Sequence, residues 1–176
     1  MRKTVLFIAV SLDGYIADRA GGVGWLQGQE ECEETGESYS RLLREIDTVV
    51  MGGRTYRQVT EELSPDVWPY RELMSYVVTE RACTSCEPIC FVNEPPAHLI
   101  RRLREQEGKD IWICGGASLV QQLMEEDLID RFHLSLIPTL LGGGIRLFDS
   151  IRKELPLRLT EMRQENGIAE LIYERR

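Results

Sequence analysis

The sequence predicts a three-layer α/β fold, in which one mixed, mainly parallel central sheet ends in a C-terminal antiparallel hairpin. Apolar runs rich in branched residues, such as residues 4–10, are typical of strands buried on both faces, and they alternate with segments of helical periodicity. Near the end of the chain, Asn166 and Gly167 separate two strand-like runs, which is the strongest short signal of a β-hairpin. No repeat and no long linker divides the sequence, so residues 1–176 are expected to form a single domain.

Strands and helices are expected to alternate along most of the chain, which favours helices on both faces of the sheet. The strands are predicted at residues 4–10, 47–52, 74–79, 88–92, 111–114, 132–141, 157–163 and 168–173. The helices are predicted from apolar residues that share one face: Tyr39, Leu42, Leu43 and Ile46; Tyr56, Val59 and Leu63; Leu99, Ile100 and Leu103 within residues 95–107; and Leu119, Val120, Leu123 and Met124.

Composition and charge argue against several classes of protein. The chain is 43% hydrophobic and 28% charged, and no apolar run approaches the ~20 residues of a membrane span. The first apolar run is short and has no cleavage pattern, so we expect a cytoplasmic protein without a membrane partner. The net charge is −8 and the basic residues are dispersed, which argues against nucleic-acid binding. One basic cluster, Arg101, Arg102 and Arg104, is expected to form a solvated helix face.

The five cysteines are expected to be free thiols, because their number is odd and the cytoplasm is reducing. Cys83, Cys86 and Cys90 lie close together in the sequence, but structural zinc usually takes four ligands at paired spacings. Buried or loop thiols are therefore the favoured interpretation, and no metal is expected.

Two glycine pairs stand where a predicted strand gives way to a helix. Gly115 and Gly116 precede one helix, and Gly52 and Gly53 precede another. Glycine permits φ > 0 and close approach of a ligand, and the first free N–H groups of a helix favour an anion such as phosphate. A glycine pair needed only for a tight turn is the alternative interpretation.

Polar residues near these turns favour the anion-binding interpretation. Arg54 and Thr55 follow the second glycine pair, and Thr79 and Arg81 lie at the end of the predicted strand at residues 74–79. Because ligands of α/β sheets bind at the carboxyl ends of strands, these groups should share one rim with the glycines. Two separated anion sites suit a dinucleotide better than a single phosphate.

A long loop after the first strand supplies candidates for the substrate side of a site. Asp13 is a candidate catalytic residue, as a polar anchor or proton relay, with an Asp-Gly turn as the alternative. Trp25 and Tyr39 are candidate pocket walls. An acidic run lies between them, in which solvation is the usual outcome but a carboxylate turned inward would donate a proton or anchor a substrate. Its members are Glu30, Glu31, Glu33, Glu34 and Glu37.

Four segments together resemble the dihydrofolate reductase-like superfamily, and more closely its branch containing the C-terminal reductase domain of bacterial riboflavin biosynthesis. They are SLDGYIAD at residues 11–18, SYSRLLREIDTVVMGGRTY at residues 38–56, YVVTER at residues 76–81 and the stretch of residues 108–148. The resemblance implies NADPH lying across the strand ends of a mainly parallel sheet. It also implies a reductase similar to dihydrofolate reductase or to 5-amino-6-(5-phosphoribosylamino)uracil reductase.

The same resemblance assigns residues to the cofactor. A guanidinium near the 2′-phosphate would favour NADPH over NADH. The cofactor phosphates would be contacted by Gly53, Arg54 and Thr55, and the adenosine end with its 2′-phosphate by Thr79 and Arg81. The pyrophosphate would be held by Gly115, Gly116, Ala117, Ser118 and Leu119, and the nicotinamide would be bordered by Ala9, Val10 and Ile16.

Three departures separate the chain from the patterns of these families. Gly53 stands where dihydrofolate reductases have a basic residue, so Arg54 would take that part. After Thr55 the chain offers Pro65 and Asp66, the reverse of the Asp-Pro substrate motif of the riboflavin reductases. The zinc deaminase half is missing, since neither His-x-Glu nor Pro-Cys-x-x-Cys occurs. The acceptor is therefore expected only as a small heterocyclic or ribosyl-linked molecule, pterin- or pyrimidine-like.

Two other classes of function fit the same pattern. A non-catalytic protein would use the rim to bind or sense a dinucleotide, whereas a dimerisation scaffold would bind none. A homodimer is expected because the long apolar strand at residues 132–141 could pair with a copy of itself.

Overall fold

The computed structural model describes residues 1–30, 36–149, 151 and 153–176. Within them, eight strands form one sheet in the order β5-β4-β3-β6-β1-β7-β10-β9, and β2 pairs with β8 in a second, two-stranded sheet. The strands are β1 (Thr4–Ser11), β2 (Tyr15–Ala17), β3 (Ile46–Gly52), β4 (Met74–Val78), β5 (Ile89–Val92), β6 (Asp110–Gly115), β7 (Arg131–Ile137), β8 (Ile145–Arg146), β9 (Leu157–Glu165) and β10 (Ile168–Arg175).

The large sheet is mixed and mainly parallel, as the sequence predicts. The six strands from β5 to β7 run parallel, whereas β10 is antiparallel to β7 and β9 is antiparallel to β10. The turn of the β9–β10 hairpin has positive φ at both Asn166 (48°) and Gly167 (75°). Both residue types tolerate that conformation, which explains why this hairpin can be predicted from the sequence.

Helices cover both faces of the sheet, so the predicted three layers are confirmed. The helices are α1 (Glu37–Glu45), α2 (Gly53–Gln58), α3 (Pro96–Arg104) and α4 (Ala117–Glu125), and a π-helical turn (Val59–Leu63) continues α2. On one face, Leu42 of α1 packs in a core with Val49 and Trp112. On the other face, Leu99 of α3 and Leu123 of α4 belong to a second core.

Two helical predictions are wrong at their ends. Ile46, predicted on the face of α1, is the first residue of β3 and is buried there. Leu63, predicted to share one helical face with Tyr56 and Val59, is 57% exposed, whereas Val59 is buried. The π-helical turn explains this second difference, because Ser64 N–H donates to Val59 O (2.8 Å) and the wider turn breaks the 3.6-residue period.

The predicted long strand at residues 132–141 is shorter, since β7 ends before Pro138. It lies between β1 and β10, and both of its edges are hydrogen-bonded. The prediction that this strand pairs with a second copy of the chain is therefore wrong, because a strand needs a free edge to add another.

The small second sheet was not predicted from the sequence. Residues of β2 follow the first strand directly and pair with β8 in antiparallel fashion. Leu147 N–H donates to Gly14 O (3.0 Å), and the guanidinium of Arg146 lies 4.9 Å from the centre of the Tyr15 ring. The loops after β1 and β7 are thereby joined at one end of the main sheet.

The arginine cluster of α3 is only partly solvated. Arg101 pairs with Glu126 and Arg102 with Glu94 at the surface. Arg104 differs from the prediction, because it lies half-buried, pairs with Asp130 and donates to Thr4 Oγ1 (3.1 Å). It joins α3 to the first residue of β1.

In the described part of the chain, no helix is long and apolar enough to cross a membrane. The candidate carboxylates Glu31, Glu33 and Glu34 and the thiol of Cys32 lie outside the described residues.

Replacing Leu99 with Ala should destabilise the fold by about 2–5 kcal/mol, because this side chain is fully buried between α3 and the sheet. The matched control is Leu140→Ala, since Leu140 is 70% exposed and its loss should change stability by no more than about 0.5 kcal/mol. Urea unfolding followed by circular dichroism measures both. Equal effects of the two substitutions would contradict this assignment of the core.

Candidate active site

The two glycine pairs are neighbours in space, although about 60 residues separate them in the sequence. Strands β3 and β6 pair in parallel, with Met51 opposite Gly115. A Cβ atom built on Gly52 would lie 3.9 Å from both Gly115 O and Gly116 N, so one methyl group would span the gap between the strand ends. We call Gly52, Gly53, Gly115 and Gly116 the glycine cradle.

Glycine is required in the cradle for conformation and for space. Gly115 has a φ of +116°, and a Cβ atom there would lie 3.3 Å from Ile8 Cδ1. A Cβ atom on Gly53 would lie 3.1 Å from Thr79 Oγ1, and one on Gly116 would lie 3.5 Å from Thr55 Oγ1. The glycines therefore allow the two strand ends and the residues beside them to pack closely.

Two helices begin at the cradle, α2 at Gly53 and α4 at Ala117. Neither start has a side-chain cap among the described residues, and the first backbone bond of α4 runs from Val120 N–H to Gly116 O (3.1 Å). The earlier N–H groups of α4 stay available, with the positive end of the helix dipole behind them. Leu119 itself is buried in the core, so only its backbone can serve a ligand.

The predicted rim residues lie at the ends of β3 and β4. Arg54 is exposed in the first turn of α2, next to Thr55. Thr79 follows β4, and its hydroxyl accepts a hydrogen bond from Arg81 N–H (3.2 Å). Neither Arg54 nor Arg81 forms an ion pair with any described residue, so both guanidinium groups are available to an anion.

Of the three residues predicted beside a nicotinamide, one lies at a cavity and two lie at the core formed with α3 and α4. Ala9 of β1 lines a cavity next to the cradle. The side chain of Val10 points the other way and is 5% exposed within the core of α3 and α4. Ile16 of β2 packs against that same core.

A cavity of about 530 Å³ adjoins the cradle on the α1 side of the sheet. Cys114 stands in its wall and directly precedes Gly115, so the two features share the end of β6. We call it the aromatic cavity, and it is lined by Phe7, Ile8, Ala9, Tyr39, Val59, Leu63, Ser64, Pro69, Tyr70, Trp112 and Cys114. Its volume lies in the range usual for small-molecule sites.

Trp112 holds the aromatic side chains of the cavity together. Its ring packs edge to face against Tyr39 (5.9 Å between centroids), Tyr70 (5.2 Å) and Phe7 (6.2 Å). Its indole Nε1–H donates to Phe7 O (3.0 Å), so its one polar group is satisfied. Such edge-to-face packing fixes the rings and leaves their outer surfaces to a ligand.

The titratable groups of the cavity stay protonated at neutral pH. Burial raises the pKa of the Cys114 thiol to about 12, against the opposing effect of a hydrogen bond from Tyr70. Burial also raises the pKa of Tyr70, as do Cys114 and Tyr39, and it raises the pKa of Tyr39. All three groups are therefore neutral hydrogen-bonding groups, because burial disfavours the charged form.

Asp13 lies away from the aromatic cavity and holds two loops together. Its carboxylate accepts hydrogen bonds from Ser11 Oγ (2.6 Å) and from the backbone N–H groups of Leu141 (3.1 Å) and Gly142 (2.7 Å). The bond from Ser11, with those from Gly142 and Leu141, lowers the pKa of Asp13 to about 2. A carboxyl group that is ionised at neutral pH is no proton donor, so the geometry favours the anchor over the relay.

Of the two predicted pocket walls, the structure brings only Tyr39 into the cavity. Trp25 lies half-buried in the loop after β2, and its indole N–H donates to Gly22 O (3.2 Å). That loop is tied to α2 by a bond from Gln58 Nε2 to Gly21 O (2.8 Å). Trp25 thus belongs to the loop beside the site and not to the cavity wall.

Four lining residues were not predicted from the sequence: Phe7, Tyr70, Trp112 and Cys114. Trp112 and Cys114 are two residues apart in a predicted strand that runs into the cradle, so their shared face was available as a signal. Tyr70 comes from an irregular segment after Pro69, and no local pattern predicts where that segment packs.

Comparison with known proteins places the chain in a family. The model of the RibD C-terminal domain matches residues 2–169, and the chain belongs to that family. It is 42% identical to the uncharacterized protein YwjB of Bacillus subtilis (strain 168), over 99% of this chain and 98% of that protein. It is 21% identical to the riboflavin biosynthesis protein RibD of Actinobacillus pleuropneumoniae, over 93% of this chain but only 55% of that longer protein.

Solved structures confirm the dihydrofolate reductase-like fold that the resemblance implies. A protein of Shewanella sp. PV-4 that is named for riboflavin biosynthesis superposes with a TM-score of 0.86 at 28% identity, over 99% of both chains. A pyrimidine reductase-like protein of Corynebacterium diphtheriae gives a TM-score of 0.69 at 19% identity, over 99% of this chain and 92% of that one. The second similarity concerns the fold alone.

Replacing Asp13 with Asn should lower stability at neutral pH but not in acid. The pKa of Asp13 falls from 3.8 to about 2 on folding, so its carboxylate stabilises the fold fully above 3.8 and loses that effect as the pH falls through about 2. Urea midpoints of the wild type and Asp13→Asn should converge across that window. The exposed Asp66→Asn serves as the control, and an Asp13→Asn difference that does not change with pH would contradict the account.

Proposed function

We propose that this protein is an NADPH-dependent reductase that transfers hydride to a small heterocyclic acceptor, pterin- or pyrimidine-like. The observation that carries the proposal is the position of Cys114, which lines the aromatic cavity and directly precedes Gly115 of the glycine cradle. Hydride transfer needs a dinucleotide and an acceptor side by side, with water excluded between them. An anion-binding rim that opens directly onto an apolar cavity meets that need.

The residues present fit the cofactor. Its pyrophosphate would lie against the backbone of the glycine cradle, where the four residues carry no side chain. The uncapped start of α4 would donate backbone N–H groups to it. Thr55 and Thr79 would add hydroxyl groups from the neighbouring strand ends.

The two free guanidinium groups support NADPH over NADH. Arg54 and Arg81 are exposed on the same rim, and an arginine binds a phosphate through paired, charge-assisted hydrogen bonds. The overall charge of −8 repels anions, so these local cations would have to hold the 2′-phosphate.

When bound, the cofactor supplies the hydride. The chain would align the acceptor and exclude water from the reacting atoms. Ala9 has the smallest side chain in the wall next to the cradle, so it leaves room for a nicotinamide to face the cavity. Trp112, Tyr39 and Tyr70 would flank a planar acceptor. The names of the neighbours agree with this reaction, since one is described as pyrimidine reductase-like and another, from Thermotoga maritima, as a deaminase and 5-amino-6-(5-phosphoribosylamino)uracil reductase.

The direct test is oxidation of NADPH in the presence of a panel of pterins and pyrimidines. Loss of the nicotinamide absorbance should depend on both protein and acceptor, and one acceptor should be recovered in reduced form. Tight binding of NADPH with no acceptor reduced would contradict the reductase and favour a protein that senses the dinucleotide.

Removing Arg54 or Arg81 should weaken NADPH binding at least about tenfold and change NADH binding little, because a charge-assisted hydrogen bond contributes about 1.5–3 kcal/mol. Isothermal titration of Arg54→Ala and Arg81→Ala with each nucleotide measures this. Arg158→Ala, which removes an exposed arginine from β9, is the matched control. Equal losses of affinity for NADPH and for NADH would show that neither arginine binds the 2′-phosphate.

A further inference from the structure

The walls of the aromatic cavity define the kind of acceptor that this protein takes. Three ring systems, Tyr39, Tyr70 and Trp112, are locked edge to face, and Phe7 packs against the same indole. Aromatic surfaces held in this way bind flat conjugated molecules by stacking or edge contacts. The lining therefore selects for a planar ring system.

The polar groups of the cavity are all neutral. Among the residues that the structure describes, these groups are the hydroxyls of Tyr39, Tyr70 and Ser64 and the thiol of Cys114, and none of the eleven described lining residues is charged. Because burial holds the pKa of Tyr70 and Cys114 above their ordinary values, these groups do not acquire charge at neutral pH. They offer hydrogen bonds to the edge of a heterocycle and no counter-charge to an anion.

A phosphate on the acceptor would be poorly accommodated in such a cavity. An ion that is partly removed from water needs a partner of opposite charge, and leaving it unpaired is unfavourable. Arg54 and Arg81, the free cations identified above, stand on the cofactor side of the rim and not in the cavity lining. The net charge of −8 adds a general repulsion.

We propose that the acceptor is an uncharged, planar heteroaromatic molecule that carries no phosphate group. This inference rests on the proposed reductase function and narrows it. It separates this chain from the reductase whose name specifies a phosphoribosyl substrate, the Thermotoga maritima protein, with which it shares 14% identity.

The test compares two ligands that differ only in the phosphate. Isothermal titration of the full chain is carried out with 5-amino-6-(5-phosphoribosylamino)uracil and with its dephosphorylated form, each in the presence and absence of NADP⁺. The dephosphorylated ligand should bind at least about tenfold more tightly, because the other leaves a phosphate without a partner. Equal or tighter binding of the phosphorylated ligand would overturn the inference, and so would failure of both ligands to bind.

A second experiment places a positive charge in the wall of the aromatic cavity. Leu63 lines the cavity and is 57% exposed, so its replacement removes little buried apolar surface. Leu63→Lys should reduce the preference for the dephosphorylated ligand about tenfold, whereas Leu63→Met, of similar length and no charge, should leave it unchanged. The same response to both substitutions would overturn the electrostatic explanation.

These outcomes are distinguishable from failure of the proposed function. NADP⁺ is titrated alone in the same series, and absence of its binding would contradict the reductase. The preference between the two uracil ligands is still read in the titrations without NADP⁺. If the protein binds NADP⁺ but prefers the phosphorylated ligand, the proposed reductase function stands and the inference of an acceptor without phosphate is wrong.

Discussion

The parallel pairing of β3 with β6 is the constraint on which the rest of the structure depends. Its register sets Met51 opposite Gly115, and the glycines that follow each strand meet across a gap of one methyl group. A slip by one residue would turn Trp112 and Cys114 to the other face of the sheet and separate the aromatic cavity from the cradle. One strand pair thus fixes both the rim proposed to bind anions and the wall of the cavity beside it.

Charge and polarity divide this region into two environments. The rim carries free arginines, hydroxyl groups and uncapped helix N–H groups, all suited to phosphate. The cavity holds aromatic rings and groups that burial keeps neutral. Burial raises the pKa of Tyr39, Tyr70 and Cys114 and so favours the neutral form of each group in the cavity. A dinucleotide, which carries charged phosphates at one end and a flat nicotinamide ring at the other, would suit these two environments.

Much of the fold was predictable, because its signals are local. Buried parallel strands read as continuous apolar runs, the Asn166–Gly167 turn demands residues that tolerate positive φ, and glycines mark the strand ends. The missed features depend on distant packing. The β2–β8 sheet joins residues more than 100 apart in sequence, and Tyr70 reaches the cavity from an irregular segment. The free edge expected for β7 is absent because β10 returns to occupy it, which no property of residues 131–137 predicts.

The candidate site could likewise be predicted only where its signals are local in the sequence. Glycines and arginines at strand ends can be recognised one by one in the sequence, so the cradle and its rim could be predicted before the structure was known. Asp13 was singled out by its place after a central strand, but its partners Leu141 and Gly142 lie on another loop, and only the structure reveals that they hold it ionised. Trp25 was chosen as a pocket wall on residue type, whereas Trp112 has that position because of the face on which β6 presents it.

The central claim is that the paired strand ends hold one dinucleotide whose reactive ring faces the aromatic cavity. A crystal structure of the protein with NADP⁺ tests it most directly. The account predicts the pyrophosphate between Gly53 and Gly116, the 2′-phosphate at Arg54 or Arg81, and the nicotinamide beside Ala9. A nucleotide bound elsewhere, or a nicotinamide turned away from the cavity, would contradict it.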